Sequence, residues 1–156
     1  MRLLAIDPGP TCSAYVYITD EFALYGFDKV ANEDLLQLRV RPDVVACEQI
    51  GHYGTGMPAG KEVFDTCVWI GRFWQVYGEP FHLIPRVKVK THLCGAAKAK
   101  DGNVIQALVD RFAPGQPNRG KGTKNAPGFF YGFHSDIWQS MALAVYYMDT
   151  HNKEAA

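Results

Sequence analysis

The stretch DVVACE, residues 43–48, constrains this chain most: four consecutive apolar residues lie between two acids. A short run without polar alternation suits a strand covered on both faces, in a sheet with helices packed against each side. Glu48 closes the run, where an uncompensated carboxylate is expensive to bury, so a partner for it is expected. The N-terminus repeats the arrangement. Residues 3–6 (LLAI) are apolar and run into Asp7-Pro8-Gly9-Pro10, a strong turn signal.

The remaining elements follow from pattern. Residues 13–18 (SAYVYI) and 22–27 (FALYGF) read as strands rich in aromatic and β-branched residues, joined by a turn at 19–21. Asn32 is suited to cap a helix through 34–38. Residues 50–61 form a loop with four glycines and Tyr53 near its centre. A long helix is predicted over 62–77, with Phe64, Cys67, Val68, Gly71 and Trp74 as one apolar stripe. Val63, Ile70 and Phe73 widen that stripe, which predicts a helix covered on two sides. A last strand at 81–84, a helix at 103–112, a Pro/Gly/Lys loop at 113–131 and a final helix at 136–148 complete the chain. The loop is long enough to be functional or mobile. The order β-β-β-α-β-α-β-α-α predicts an α/β fold: a mixed five-stranded sheet flanked by helices, in a single domain spanning 1–156.

Composition agrees with a folded chain. At 156 residues, 47% hydrophobic and 13% aromatic, it is long and apolar enough to bury a core. No run of about 18 apolar residues occurs, so no membrane span is expected. The opening residues are too short for a signal peptide and read as a strand. Cys12, Cys47, Cys67 and Cys94 show no metal-binding spacing. Reduced thiols, buried where they sit in the apolar runs (Cys47, Cys67), and a cytoplasmic location are expected. The 16 basic and 16 acidic residues cancel, which counts mildly against a nucleic-acid partner. Their distribution leaves room for one positive face. Arg86, Lys88, Lys90, Lys98 and Lys100 occur without an intervening acid, and Arg119, Lys121 and Lys124 follow in a Gly-rich stretch, whereas acids gather between Asp20 and Asp43.

Three acids stand where a strand-built metal site needs them. Asp7 ends the first strand, Glu48 ends the buried strand, and Asp136 begins a helix whose Ser140, Ala142 and Ala144 permit close packing on a sheet. Hard divalent cations take oxygen ligands, and two ions about 4 Å apart can clamp an in-line phosphoryl displacement. Each acid alone also has a structural use: Asp7 in shaping a turn, Glu48 in a strand-end salt bridge, Asp136 at a helix N-terminus.

Together the segments LLAIDPG, RPDVVACEQI and HSDIWQSMALA resemble, in order and separation, three motifs of the RuvC family of Holliday junction resolvases. The resemblance covers most of the chain and is weakest over 113–131, where this sequence is longer and glycine-rich. The stretch GTKNAPGFFYG resembles phage-encoded members in style. The resemblance implies an RNase H-like fold and a homodimer that cuts four-way DNA junctions with Mg2+ or Mn2+, acting in the cytoplasm, the host's if phage-encoded. It implies Asp7, Glu48 and Asp136 as catalytic metal ligands. The family's fourth ligand, three positions along the last helix, falls here on Gln139, a departure; either Gln139 or His134 fills that role. Lys90 and Lys100 match two phosphate-contacting catalytic lysines, with Lys98 an alternative to Lys100. Lys88, Lys121 and Lys124 extend the nucleic-acid-binding surface, and Tyr53 lies near the family's aromatic wedge. The helix over 62–77 lies where family members dimerise, and core packing is the alternative use of its apolar residues.

Other readings stay open. The same acids serve RNA-cutting RNase H-like nucleases, and Gln139 in place of an acid suits a protein that binds junctions with weak or no cleavage. The DPG turn alone also suits actin-like ATPases, but the chain lacks a second phosphate loop and the length for two such domains.

Overall fold

The computed structural model describes residues 1–51 and 58–151. Strands β1 (Arg2–Asp7), β2 (Cys12–Thr19) and β3 (Leu24–Ala31) are followed by α1 (Asn32–Leu36), β4 (Val44–Gln49), α2 (Lys61–Tyr77) and β5 (Phe81–Pro85). Then come α3 (Arg86–Cys94), α4 (Asp101–Phe112), a 3-10 turn at Asn118–Gly120 and α5 (Ile137–His151). The five strands form one sheet in the order β3-β2-β1-β4-β5. The pairs β1–β2 and β2–β3 are antiparallel, and β1–β4 and β4–β5 are parallel, so the sheet is mixed as predicted.

The two central apolar runs are buried because each face of the sheet has its own core. Leu3, Ala5, Ala14, Val16, Val44 and Ala46 point into a cluster with α4 and α5. Leu4, Ile6, Tyr15, Tyr17, Val45 and Cys47 point the other way, against Leu35, Ile70 and Phe73. Alternation along each strand divides the residues between the faces. Helix α5 is buried along most of its length, with Ser140, Ala142 and Ala144 fully covered, as expected of small residues under a sheet.

Several boundaries differ from expectation. Strand β3 starts at Leu24 rather than 22, because Phe22 lies in the turn at φ 60° and its N–H donates to the Thr19 carbonyl at 2.9 Å. Glu48 lies inside β4, which continues to Gln49 through pairing with Ile84 and Pro85. Asn32 is the first residue of a shorter α1, not its cap; its amide turns instead to Ser13 and Gly9. The basic run after residue 85 holds a helix, α3, where the sequence pattern shows none: Val87 and Val89 alternate with lysines at period two and mask the helical turn. Residues 113–131 are not loose. Gly128 N–H donates to the Lys121 carbonyl at 2.9 Å, and Phe130 N–H to the Gly120 carbonyl at 3.0 Å, with Phe130 fully buried against Phe133 and Trp138.

Helix α2 differs most. Its buried face is Thr66, Ile70 and Phe73, while Phe64 (61% exposed), Val68 (63%) and Trp74 (38%) of the expected stripe face outward. Cys67, expected to be buried, is exposed, unlike Cys47. Among the described residues all four cysteines are free thiols. No helix in those residues is long and apolar enough to cross a membrane. Phe73→Ala is expected to cost about 3–5 kcal/mol. Phe64→Ala should change stability by no more than about 0.5 kcal/mol. Urea unfolding of both variants checks which face of α2 belongs to the core.

Candidate active site

Strand register brings Asp7 and Glu48 together. Strands β1 and β4 run parallel with Leu3 beside Val44 and Ile6 beside Cys47, so one step further Asp7 lies beside Glu48. Both acids share the parity of Leu3, Ala5, Val44 and Ala46, and therefore lie on the face that α5 covers. Asp136 stands immediately before α5, its carbonyl accepting from the N–H groups of Gln139 (3.0 Å) and Ser140 (3.1 Å). Three carboxylates from distant parts of the sequence thus lie within electrostatic range of one another at one end of the sheet.

The turn after Asp7 is fixed from beneath. Gly9 N–H donates to Ser13 Oγ (3.1 Å), Ser13 Oγ to Asn32 Oδ1 (2.6 Å), and Asn32 Nδ2 to the Gly9 carbonyl (2.9 Å). Ser13 and Asn32 are buried, so this closed ring of bonds is sheltered from water. A Cβ at residue 9 would stand 2.3 Å from the Cys12 carbonyl oxygen, so only glycine admits this turn.

Two cations reach the acids: Lys29, which the sequence did not single out, and Arg86, known from it only as part of the basic run. Lys29, on edge strand β3, pairs with Ala14, which pairs with Asp7, so Lys29 lies two strands from Asp7 on the same face. Its Nζ donates to Asp136 Oδ2 at 2.6 Å and to Ser135 Oγ at 3.3 Å. Arg86, the first residue of α3, brings Nη1 to 3.5 Å from Glu48 Oε2 while Nη2 donates to Asp101 Oδ1. The signal for Lys29 lies only in pairing register, and the signal for Arg86 and Asp101 only in a helix that the sequence pattern masks.

Electrostatics mark the centre. Burial, then the neighbouring charges of Glu48 and Asp136, push the Asp7 carboxyl up to about 8 from its ordinary 3.8, against the opposing pull of Arg86 and Lys29. Burial also raises Glu48, although Arg86 and Lys90 favour its charged form. The hydrogen bond to Asp136 raises Lys29. Burial alone would lower Arg86, but Glu48 and Asp101 outweigh it and hold the guanidinium charged.

The other expected site residues divide into near and far. Lys90, on α3, is close enough to favour the Glu48 charge. His134, Asp136, Gln139 and Lys121 line one pocket of about 340 Å3 together with Asp101 and Arg119. Gln139 is buried there and His134 exposed. Lys100 is exposed at the start of α4, its backbone N–H bonded to Asn103 Oδ1 at 2.9 Å, and Lys98 is exposed just before it. Lys88 and Lys124 are exposed and line no part of that pocket. Tyr53 lies outside the described residues.

The arrangement suits a hard divalent cation in its chemistry: every candidate donor except His134 is an oxygen, and Asp7, raised first by burial, also feels the charges of Glu48 and Asp136, which a cation would offset. Among the described residues, no group of three or more His, Cys, Asp and Glu side chains is drawn closely enough to hold an ion unaided. Asp136 leans to Lys29 and Glu48 to Arg86.

The mixed order β3-β2-β1-β4-β5, with helices on both faces, defines an α/β fold of the RNase H-like class. Solved structures narrow this. A Thermus thermophilus RuvC structure matches with a TM-score of 0.65 at 21% identity, over 97% of each chain. T. thermophilus RuvC in complex with a Holliday junction substrate matches with a TM-score of 0.68 at 19% identity, over 99% of this chain and 96% of that one. The chain therefore has the RuvC-type resolvase fold. No family model matches the sequence, and no curated protein matches it.

Without metal, Asp7 stays protonated in the folded chain up to about pH 8, whereas in the unfolded chain it ionises near 3.8. The folded state binds more protons across that window, so stability is greatest below it and falls as pH rises through it. Asp7→Asn is expected to remove most of this fall. Thermal unfolding in chelator from about pH 4 to about pH 9 checks it; parallel pH profiles for the two proteins would contradict it.

Proposed function

We propose that this protein is a structure-selective, divalent-metal-dependent endonuclease that resolves Holliday junctions or other branched DNA by phosphodiester hydrolysis. One observation carries the reading: Asp7 and Glu48, on adjacent parallel strands, lie within electrostatic range of Asp136 at the start of α5 in a RuvC-type fold. A structural neighbour that holds a Holliday junction substrate supports branched DNA as the ligand.

Asp7, Glu48 and Asp136, with Gln139 or His134 as a fourth ligand, would hold Mg2+ or Mn2+. The ion would activate water and stabilise the leaving oxygen. The rest is the work of the chain. The ring of bonds through Ser13 and Asn32 fixes the turn that follows Asp7. Lys90, beside Glu48, contacts the scissile phosphate and balances its growing charge, with Lys100 or Lys98 assisting. Lys88, Lys121, Lys124 and Tyr53 extend the DNA contact.

A homodimer follows from the same reading, because a junction needs two symmetric cuts. The outward apolar residues Phe64, Val68 and Trp74 on α2, with Leu83 on β5, support a second copy as their cover. A second reading, junction binding with weak or no cleavage, is favoured by the neutral Gln139 and by the cations already resting on Glu48 and Asp136.

A labelled synthetic four-way DNA junction, compared with matched duplex in Mg2+ and in Mn2+, separates these readings. Paired symmetric nicks, lost in Asp7→Asn, are expected. Tight junction binding with no nicking in either metal would select the second reading. Phe64→Glu combined with Val68→Glu is expected to give a monomer in sedimentation and to abolish paired nicking.

A further inference from the structure

The segment after α4 is built to present cations, and its backbone is held in a costly shape. Asn118 and Arg119 take up left-handed backbone angles in succession, φ 53° and 55°. Such angles disfavour a non-glycine residue, and they persist where surrounding structure enforces them. Here the enforcement is visible. A Cβ on Gly128 would stand 2.2 Å from the Gly120 carbonyl oxygen, so the two arms of the loop touch backbone to backbone. Gly120 and Phe130 are buried, and Phe129 stacks on Phe112 of α4, which ties the loop to the helices behind it.

The product of this construction is Arg119, which with Lys121 lines the same pocket as Asp136, Gln139 and Asp101. Arg119 itself is exposed, and among the described residues neither it nor Lys121 makes an ion pair. By contrast, Arg2, Arg86 and Arg111 are each spent on a carboxylate. A guanidinium held on a preformed turn suits the planar, bidentate recognition of a phosphate.

We infer that residues 118–128 are a rigid phosphate clamp, in which Arg119, aided by Lys121, grips a backbone phosphate next to the one presented to the carboxylates. The inference rests on the nuclease reading and deepens it, by assigning a residue and a preformed loop that set where the strand lies across the site. A rigid clamp costs little ordering on binding, so its loss weakens affinity directly.

The test is junction affinity as a function of salt in chelator, for the full chain, for Arg119→Gln/Lys121→Gln, and for Arg39→Gln/Arg41→Gln. The last pair removes two exposed charges beyond the opposite end of β4 from the acids. The clamp variant is expected to bind more weakly, with the slope of log affinity against log salt shallower by about 0.9 for each phosphate that it no longer neutralises. Arg39→Gln/Arg41→Gln should keep the native slope. Identical slopes in the native chain and the clamp variant, or an equal loss in both variants, would overturn the clamp while leaving the nuclease reading intact. A native chain with no salt-dependent affinity for branched DNA would overturn both.

Discussion

Two carboxylates held side by side at the ends of buried parallel strands set the terms for the rest of the molecule. Asp7 and Glu48 are neighbours because β1 and β4 pair in parallel, and they face α5 because side chains alternate. Taken alone, that pairing is unfavourable: like charges in a partly desolvated setting disfavour joint ionisation. The fold answers it three ways. Asp7 retains a proton to about pH 8, Arg86 approaches Glu48, and Lys29 reaches in from the sheet edge to Asp136. A fold that only needed stability would place apolar residues here. Retaining two buried acids side by side at such a cost points to a site where charge has a use.

The surrounding architecture serves this convergence. Central strands apolar on both faces give Asp7 and Glu48 fixed positions, and the small residues of α5 let that helix pack closely on the sheet, with Asp136 at its start near enough to act on Asp7 by its charge. The sheltered ring of Gly9, Ser13 and Asn32 ties the β1 turn to the start of α1. Helices α3 and α4 contribute the second rank of charge, Arg86, Lys90 and Asp101. The opposite face carries α2, whose inner side completes a core with Phe73 and whose outer side leaves apolar residues uncovered.

Most of the framework is legible in the sequence because apolar runs ended by acids admit few arrangements. The five strands, the two-sided burial of β4 and the close packing of α5 follow from pattern alone. The site is less legible, for identifiable reasons. Lys29 cannot be assigned without knowing that β3 pairs with β2 at Ala14. Alternating valines and lysines hide α3 and with it the role of Arg86. On α2 apolar residues lie all round the helix, so pattern does not tell the buried face with Thr66, Ile70 and Phe73 from the outward one. The 113–131 segment reads as loose because glycine and proline mark loops, whereas here glycine allows two backbone arms to touch.

The central claim, that Asp7, Glu48 and Asp136 act as one cation site, is tested most directly by calorimetric titration of Mn2+ in buffers of different ionisation enthalpy near neutral pH. A cation that displaces the proton held on Asp7 should release about one proton for each ion bound, because metal ligands must be deprotonated. Asp7→Asn should bind more weakly and release none. Binding with no proton release, or native binding unchanged in Asp7→Asn and Glu48→Gln, would contradict the account.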